Sequence, residues 1–349
     1  MNSMSISKII FFLLGIAGLL FMALIFGTQE LGQALSRVSP LAVAVLFTLQ
    51  LSTLLASAWI WHFLLTRKTS ITFSTVFLVN QAAGLIESLT PSVKFGGEAA
   101  KVYLFRQKTG QAYQDLAGTL LVHKFLTMTP FVLLCLMLVL PAFFMFELPG
   151  YFYAALAVLT AMCVGLGFLC YGRKGEERKE KPLQDAPRKI AQGRLESLKK
   201  TPSRIALFLQ QSRLAASSLL STRQTLAAML VSLIIWVFYP VKVYLACTFL
   251  GLEVHPLIIG LATLFAYMVS MVPLLPGGLG TYEGAMALFF TMGGLTPAEG
   301  LAVSLLSRLT TFWFPLLVSA LSCLALSRTS PLLPEKPGIQ EKEQVKQTL

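Results

Sequence analysis

Hydrophobic residues lie along this chain in long blocks, not in the alternation of a half-buried strand. Six blocks have about the ~20 residues needed to cross ~30 Å of hydrocarbon. They are Ile9–Gly27, Leu41–Leu65, Leu116–Leu140, Tyr151–Tyr171, Thr225–Leu250 and Leu301–Leu326. Two more regions are apolar but interrupted. Ile71–Tyr103 is broken at Thr90-Pro-Ser and Gly96-Gly97, and Pro256–Gly294 at Pro273, Pro276 and Gly277-Gly-Leu-Gly. The pattern predicts an all-α polytopic membrane protein with about six spanning helices.

The polar segments between the blocks supply the orientation. Lys and Arg gather at Arg67-Lys68, at Lys94–Lys108, in Arg173–Arg223 and from Arg328 onward. They are nearly absent from Gln29–Ser39, Phe144–Gly150 and Gly251–His255. Cytoplasmic loops carry the excess of Lys and Arg. The expected protein therefore sits in the inner or cytoplasmic membrane with both termini and the loop 172–223 in the cytoplasm. Arg67-Lys68 and Lys94–Lys108 then share one face, so the stretch between them must enter and leave by that face. A re-entrant helical hairpin does this, with a non-helical break at Thr90–Gly97. A second hairpin, broken at Pro276–Tyr282 and entering from the other face, brings the C-terminus inside. Full spanning by Leu257–Leu275 is the alternative. Residues 1–329 read as one integral membrane domain, and 330–349, with three prolines, as a flexible tail.

Composition agrees. Of 349 residues, 55% are hydrophobic and 13% charged, against about 25% charged in soluble domains. The net charge of +12 does not indicate nucleic acid, because it is concentrated in the connecting segments. All five cysteines lie in apolar runs without C-x-x-C spacing, and the three histidines are scattered. No metal or cofactor site is expected.

The two interrupted regions repeat each other. Pro91, Glu98 and Pro130 in the first match Pro276, Glu283 and Pro315 in the second, since 276−91, 283−98 and 315−130 all equal 185. The halves, about 40–141 and 224–327, have opposite orientations in the topology above. Inverted repeats with broken helices are a recurrent transporter plan, with the substrate site at the repeat interface.

Ionisable residues inside a membrane are costly and usually face an interior or a water-filled path. The candidate substrate-binding residues are Glu98, Lys101, Lys124, Gly278, Gly280, Glu283 and Arg308. Glu98 and Lys101 are spaced i,i+3 for a pair on one helix face. Glu283 follows a glycine-rich break whose backbone can turn tightly and meet a ligand closely, although Gly280-x-x-x-Gly284 also has the spacing of close helix packing. Arg308 lies deep in the last span and needs a partner, either Glu283 or a lipid phosphate. Lys124 is its nearest counterpart in the first half. Lys242, toward the outer end of its helix, is expected to snorkel.

The runs Pro276-Gly-Gly-Leu-Gly-Thr-Tyr-Glu-Gly-Ala, Gly294-Leu-Thr-Pro-Ala-Glu-Gly-Leu-Ala-Val and Arg308-Leu-Thr-Thr-Phe-Trp-Phe-Pro resemble the C-terminal signature of the lysylphosphatidylglycerol synthase transmembrane, flippase-like family. Gly97-Glu98-Ala-Ala-Lys-Val-Tyr-Leu resembles its first block, with Lys101 where the family has Arg. The chain departs from the family at His123-Lys124 and Thr127, where an acid–Arg pair and a later Asp are usual. The resemblance covers roughly 40–325. It implies the lipid-translocating half without the soluble aminoacyltransferase domain. The expected function is movement of a phospholipid, or another anionic or sugar-bearing lipid, between leaflets. The partners are membrane lipids and a separate lipid-modifying enzyme. The alternatives are a membrane-embedded lipid-modifying transferase, for which no catalytic residue is assigned, or a non-catalytic partner of one.

Overall fold

Several long helices start where the sequence offers a cap. In α1 (Pro40–Leu65) Ser39 accepts a hydrogen bond from the Ala42 N–H and Pro40 opens the first turn. In α6 (Thr222–Phe249) Ser221 and Gln224 cap each other's backbone N–H groups. Such reciprocal caps satisfy donors that a helix start otherwise leaves orphaned, a requirement most severe where no water is near. The computed structural model describes residues 36, 38–89, 95–145, 150–171, 210–271 and 276–329. The expected first helix, the tail and most of the basic loop lie outside the described residues, as do 90–94 and 272–275 within the two breaks.

Every regular element among the described residues is a helix. After α1 come α2 (Phe73–Leu89), α3 (Phe95–Thr109), α4 (Tyr113–Met145) and α5 (Gly150–Tyr171), then a short helical stretch at 210–217 and α6. The second half continues with α7 (Pro256–Ser270), α8 (Thr281–Met292), α9 (Pro297–Arg308), a π-helical turn at Leu309–Trp313 and α10 (Phe314–Thr329). Five helices are long and apolar enough to span: α1, α4, α5, α6 and the continuous α9–π–α10. The protein is a polytopic membrane protein.

Neither α2 nor α7 is among the span-length helices. At ~1.5 Å per residue, the 17 residues of α2 and the 15 of α7 reach only about 25 and 22 Å, short of ~30 Å of hydrocarbon. The helix expected over Leu257–Leu275 ends at Ser270, as the first arm of a hairpin would. Both breaks are shorter than expected. α3 begins at Phe95 and α8 at Thr281, so Phe95–Gly97 and Thr281–Tyr282 are helical. Glu98 and Glu283 lie in these first turns, where a carboxylate opposes the positive end of the helix dipole and favours an earlier start.

The repeat holds throughout the architecture. Adding 185 to the bounds of α1, α2, α3 and α4 lands within a few residues of α6, α7, α8 and α9–π–α10. α4 has 33 residues, and α9, the π turn and α10 have 12, 5 and 16, also 33. Packing repeats as well: α1 on α2, α2 on α3 and α3 on α4 match α6 on α7, α7 on α8 and α8 on α9, while α1 and α6 meet across the middle. Among the described residues three span-length helices, α1, α4 and α5, lie between the start of α1 and the start of α6, the odd number that an inverted repeat needs.

The surface is apolar and the polar residues are inside. Met137, Phe144, Val158, Val164 and Leu226 are each more than 60% exposed, as lipid-facing side chains should be. Gln50, Lys101, Lys242, Glu283 and Arg308 are each less than 9% exposed.

Candidate functional site

The repeat builds two acid–base clusters, one beside each break. In the second half the backbone comes first. Gly277, Gly278 and Gly280 have φ of 61°, 66° and 80°, a left-handed conformation that side chains with a Cβ disfavour. A Cβ on Gly277 would strike the Phe312 ring. This turn aims the carbonyls of Gly277 and Gly278 at Arg308, whose Nη2 donates to them at 2.8 and 2.7 Å. Arg308 Nε donates to Glu283 Oε1 at 2.8 Å. The other carboxylate oxygen, Oε2, accepts from the Gly280 N–H at 2.6 Å. The guanidinium also lies 4.3 Å from the Tyr282 ring centre and 5.1 Å from that of Phe312. Glu283 is fully buried and Arg308 is 5% exposed.

The first-half cluster uses the equivalent elements. Glu98, in the first turn of α3, accepts from Lys124 of α4 through Oε1 at 2.6 Å. Lys101 stands 3.5 Å from Oε2, the i,i+3 pair expected from spacing. Its Nζ sits 5.1 Å above the Trp61 ring, and Trp61 stacks on His123 at 4.6 Å. This cluster is less completely bonded. Both nitrogens of His123, Trp61 Nε1 and Glu98 Oε2 are buried yet make no hydrogen bond among the described residues. In the second cluster the Tyr282 hydroxyl shares that condition. The Lys124 side chain is 27% exposed, against 6% for Arg308.

The structure therefore brings Glu98, Lys101 and Lys124 together, and likewise Gly278, Gly280, Glu283 and Arg308. Lys124 and Arg308 are structural counterparts although one residue off the 185 offset. Seven residues separate Arg308 from Pro315 and six separate Lys124 from Pro130. The extra residue falls in the π turn that directly follows Arg308, and a π turn accommodates more residues per turn than an α-helix. The clusters are linked through the hairpins, because the break Pro276–Gly278 rests against α2.

Lys242 corrects its expectation. It does not snorkel: it is 2% exposed, donates to Gln50 Oε1 at 2.5 Å and lies 4.0 Å from the Tyr239 ring centre. The signal for it was Gln50, a long polar side chain in the middle of an otherwise apolar span. Among the described residues no group of His, Cys, Asp or Glu is placed to hold a metal ion.

Residues 8–319 match the family described as the lysylphosphatidylglycerol synthase TM region. The chain is 26% identical over 337 residues to a UPF0104 membrane protein of Methanothermobacter thermautotrophicus, covering 94% of this chain and 97% of that one. It is 24% identical over 250 residues to the UPF0104 membrane protein PH1989 of Pyrococcus horikoshii, covering 68% and 72%. With the paired hairpins, the repeat and the motifs at Glu98, Glu283 and Arg308 all inside the matched span, the chain belongs to the lysylphosphatidylglycerol synthase TM region family.

Proposed function

We propose that this protein moves a lipid with an anionic headgroup between the leaflets of the cytoplasmic membrane, with its termini on the cytoplasmic side that the Lys and Arg asymmetry favours. One observation carries the reading: inside a membrane domain, Glu98 faces two ammonium groups, Lys101 and Lys124. One carboxylate cannot neutralise two cations, and an uncompensated charge there is expensive. An anion entering beside Lys101 and Lys124 completes the balance, and the unpartnered nitrogens of His123 and Trp61 add hydrogen-bonding capacity next to it. Phosphate suits this cluster because its several oxygens accept from several donors.

The acyl chains stay in lipid while the headgroup crosses between the hairpins. Carrying a charged group through bare hydrocarbon costs many kcal/mol, so a few placed charges change the rate greatly. Arg308 and Glu283 form the equivalent station in the other half. There the cation is already neutralised, and opening that pair would make it available to the headgroup. The inverted repeat lets the two stations exchange roles as the hairpins move.

The test is flux of labelled phosphatidylglycerol in liposomes containing the purified protein. The parent should exceed protein-free liposomes, and the Lys101→Met/Lys124→Met variant should not. Parent flux equal to that of empty liposomes defeats the proposal.

A further inference from the structure

Lys101, Lys124 and Arg308 each have a carboxylate within 4 Å. Lys242, buried toward one end of α6, has none among the described residues. Its contacts are the Gln50 amide oxygen at 2.5 Å, the Thr53 hydroxyl at 3.5 Å and the Tyr239 ring. Gln50 and Thr53 are themselves buried. These are neutral groups: they hold the amine in place but supply no counter-charge of their own. One strong hydrogen bond and one long one also leave donor capacity on an –NH₃⁺ that has three.

Lys242 is joined to the second cluster by aromatic rings. From Arg308 the path runs to Tyr282 at 4.3 Å, on to Tyr267 at 5.2 Å, to Tyr239 at 4.8 Å and to Lys242 at 4.0 Å. A cation stands at each end of this path. On the neighbouring turn of α6, Val241 and Tyr244 are 40% and 49% exposed on the outer surface.

We propose that Lys242 is a binding point for the phosphate of a lipid headgroup, a third station joined to Arg308 by the tyrosine path. Gln50 and Thr53 position the ammonium, and the phosphate supplies the missing counter-charge. The site narrows the substrate to phosphate-bearing lipids over neutral glycolipids. The source of the phosphate rests on the translocase reading; the anion site at Lys242 does not.

The test uses delipidated full-length protein in detergent and follows melting with added phosphatidylglycerol, inorganic phosphate or a neutral diacyl glucosyl lipid. Phosphatidylglycerol should raise the melting temperature of the parent, leave Lys242→Met unmoved and raise Lys242→Arg in part; the glucosyl lipid should shift none of them. Lys242→Gln retains a donor for Gln50 and replaces Lys242→Met if the latter does not fold. A parent-sized shift in both Met and Gln variants overturns the site. An equal shift from inorganic phosphate at the same concentration overturns the lipid as its source. In liposomes, phosphatidylglycerol flux of Lys242→Gln should fall about tenfold or more, the scale of one charge-assisted hydrogen bond. Unchanged flux in Lys242→Gln while Lys101→Met/Lys124→Met is inactive removes Lys242 from the path and leaves the translocase standing. A Lys242-dependent shift in a parent that moves no lipid does the reverse.

Discussion

Glu98 with Lys124 and Glu283 with Arg308 occupy equivalent places in an inverted repeat, yet they are held very differently. Around Glu283 both carboxylate oxygens are engaged, and Arg308 adds two backbone carbonyls and two aromatic faces. Around Glu98 one carboxylate serves two lysines, one oxygen lacks a hydrogen bond, and the neighbouring histidine is unbonded at both nitrogens. One plan has thus produced a sealed cluster and an open one. Part of the cause is chemical. Arg presents a rigid fork that engages carboxylate and carbonyls at once, whereas Lys is a point charge on a flexible stem. Part is local backbone: the glycine turn supplies carbonyl acceptors at the second break. On the proposed lipid-moving function, halves held differently are what alternating access between two leaflets needs.

The largest effect that would break this comparison comes from removing the cation. Arg308→Met strands Glu283 without exposure to water, so it should destabilise by about 3–5 kcal/mol. Lys124→Met leaves Lys101 beside Glu98 in a partly open cluster, and should cost less than about 2 kcal/mol. Melting temperatures in detergent compare the two. Equal losses would mean that the clusters are equally sealed. The double variant Arg308→Met/Glu283→Leu should recover most of the stability lost by Arg308→Met, because no orphan charge remains, but it should not recover lipid flux. If it transports like the parent, the pair is scaffolding alone.

A smaller effect sharpens the role of the glycine turn. Gly110 and Gly277 both have positive φ, at 69° and 61°, but a Cβ on Gly110 meets open space while one on Gly277 meets Phe312. Gly110→Ala should cost about 1–2 kcal/mol, the strain of a left-handed residue alone. Gly277→Ala adds the collision and should lose more, together with flux, since it displaces the carbonyls that hold Arg308. Similar melting for both variants would show that the second break yields easily and is not the rigid element.

The spans and both ion pairs of the clusters were legible to different degrees, for physical reasons. Spans such as Leu41–Leu65 and Thr225–Leu250 could be read because a block of apolar residues has few alternatives in lipid, and Ser39 and Ser221 mark their starts within a few residues. Glu98 with Lys101 followed from helical spacing. Glu98 with Lys124 did not, since 26 residues and a loop separate them; only the match to Glu283 and Arg308 at the 185 offset pointed to it. The shift of Arg308 by one residue was visible in the sequence, but the π turn that absorbs it was not, because no local preference marks a π turn. Lys242 was misplaced because helix position alone cannot tell a snorkelling lysine from one held inward. That distinction depended on Gln50, 192 residues away.

The smallest expected change concerns the unbonded groups themselves. His123 is buried, stacked on Trp61, and bonded through neither nitrogen. If those nitrogens served only the fold, Phe should replace the ring with little loss, because it keeps an aromatic face against Trp61 and removes two unsatisfied polar atoms. Eliminating such atoms without disturbing shape is close to neutral or stabilising, so His123→Phe should melt within about 1 kcal/mol of the parent or above it. Tyr282→Phe is the matching change in the sealed cluster. It removes one buried hydroxyl and keeps the face over Arg308, so its melting should change little. The two should part in transport. His123→Phe takes hydrogen-bonding capacity from the open cluster and should lower phosphatidylglycerol flux several-fold, the scale of one lost neutral hydrogen bond of ~1 kcal/mol. Tyr282→Phe leaves the Glu283–Arg308 pair intact and should transport nearly as the parent does. If both variants transport normally, the open nitrogens of the first cluster meet no headgroup, and the asymmetry between the halves belongs to folding, not to lipid binding.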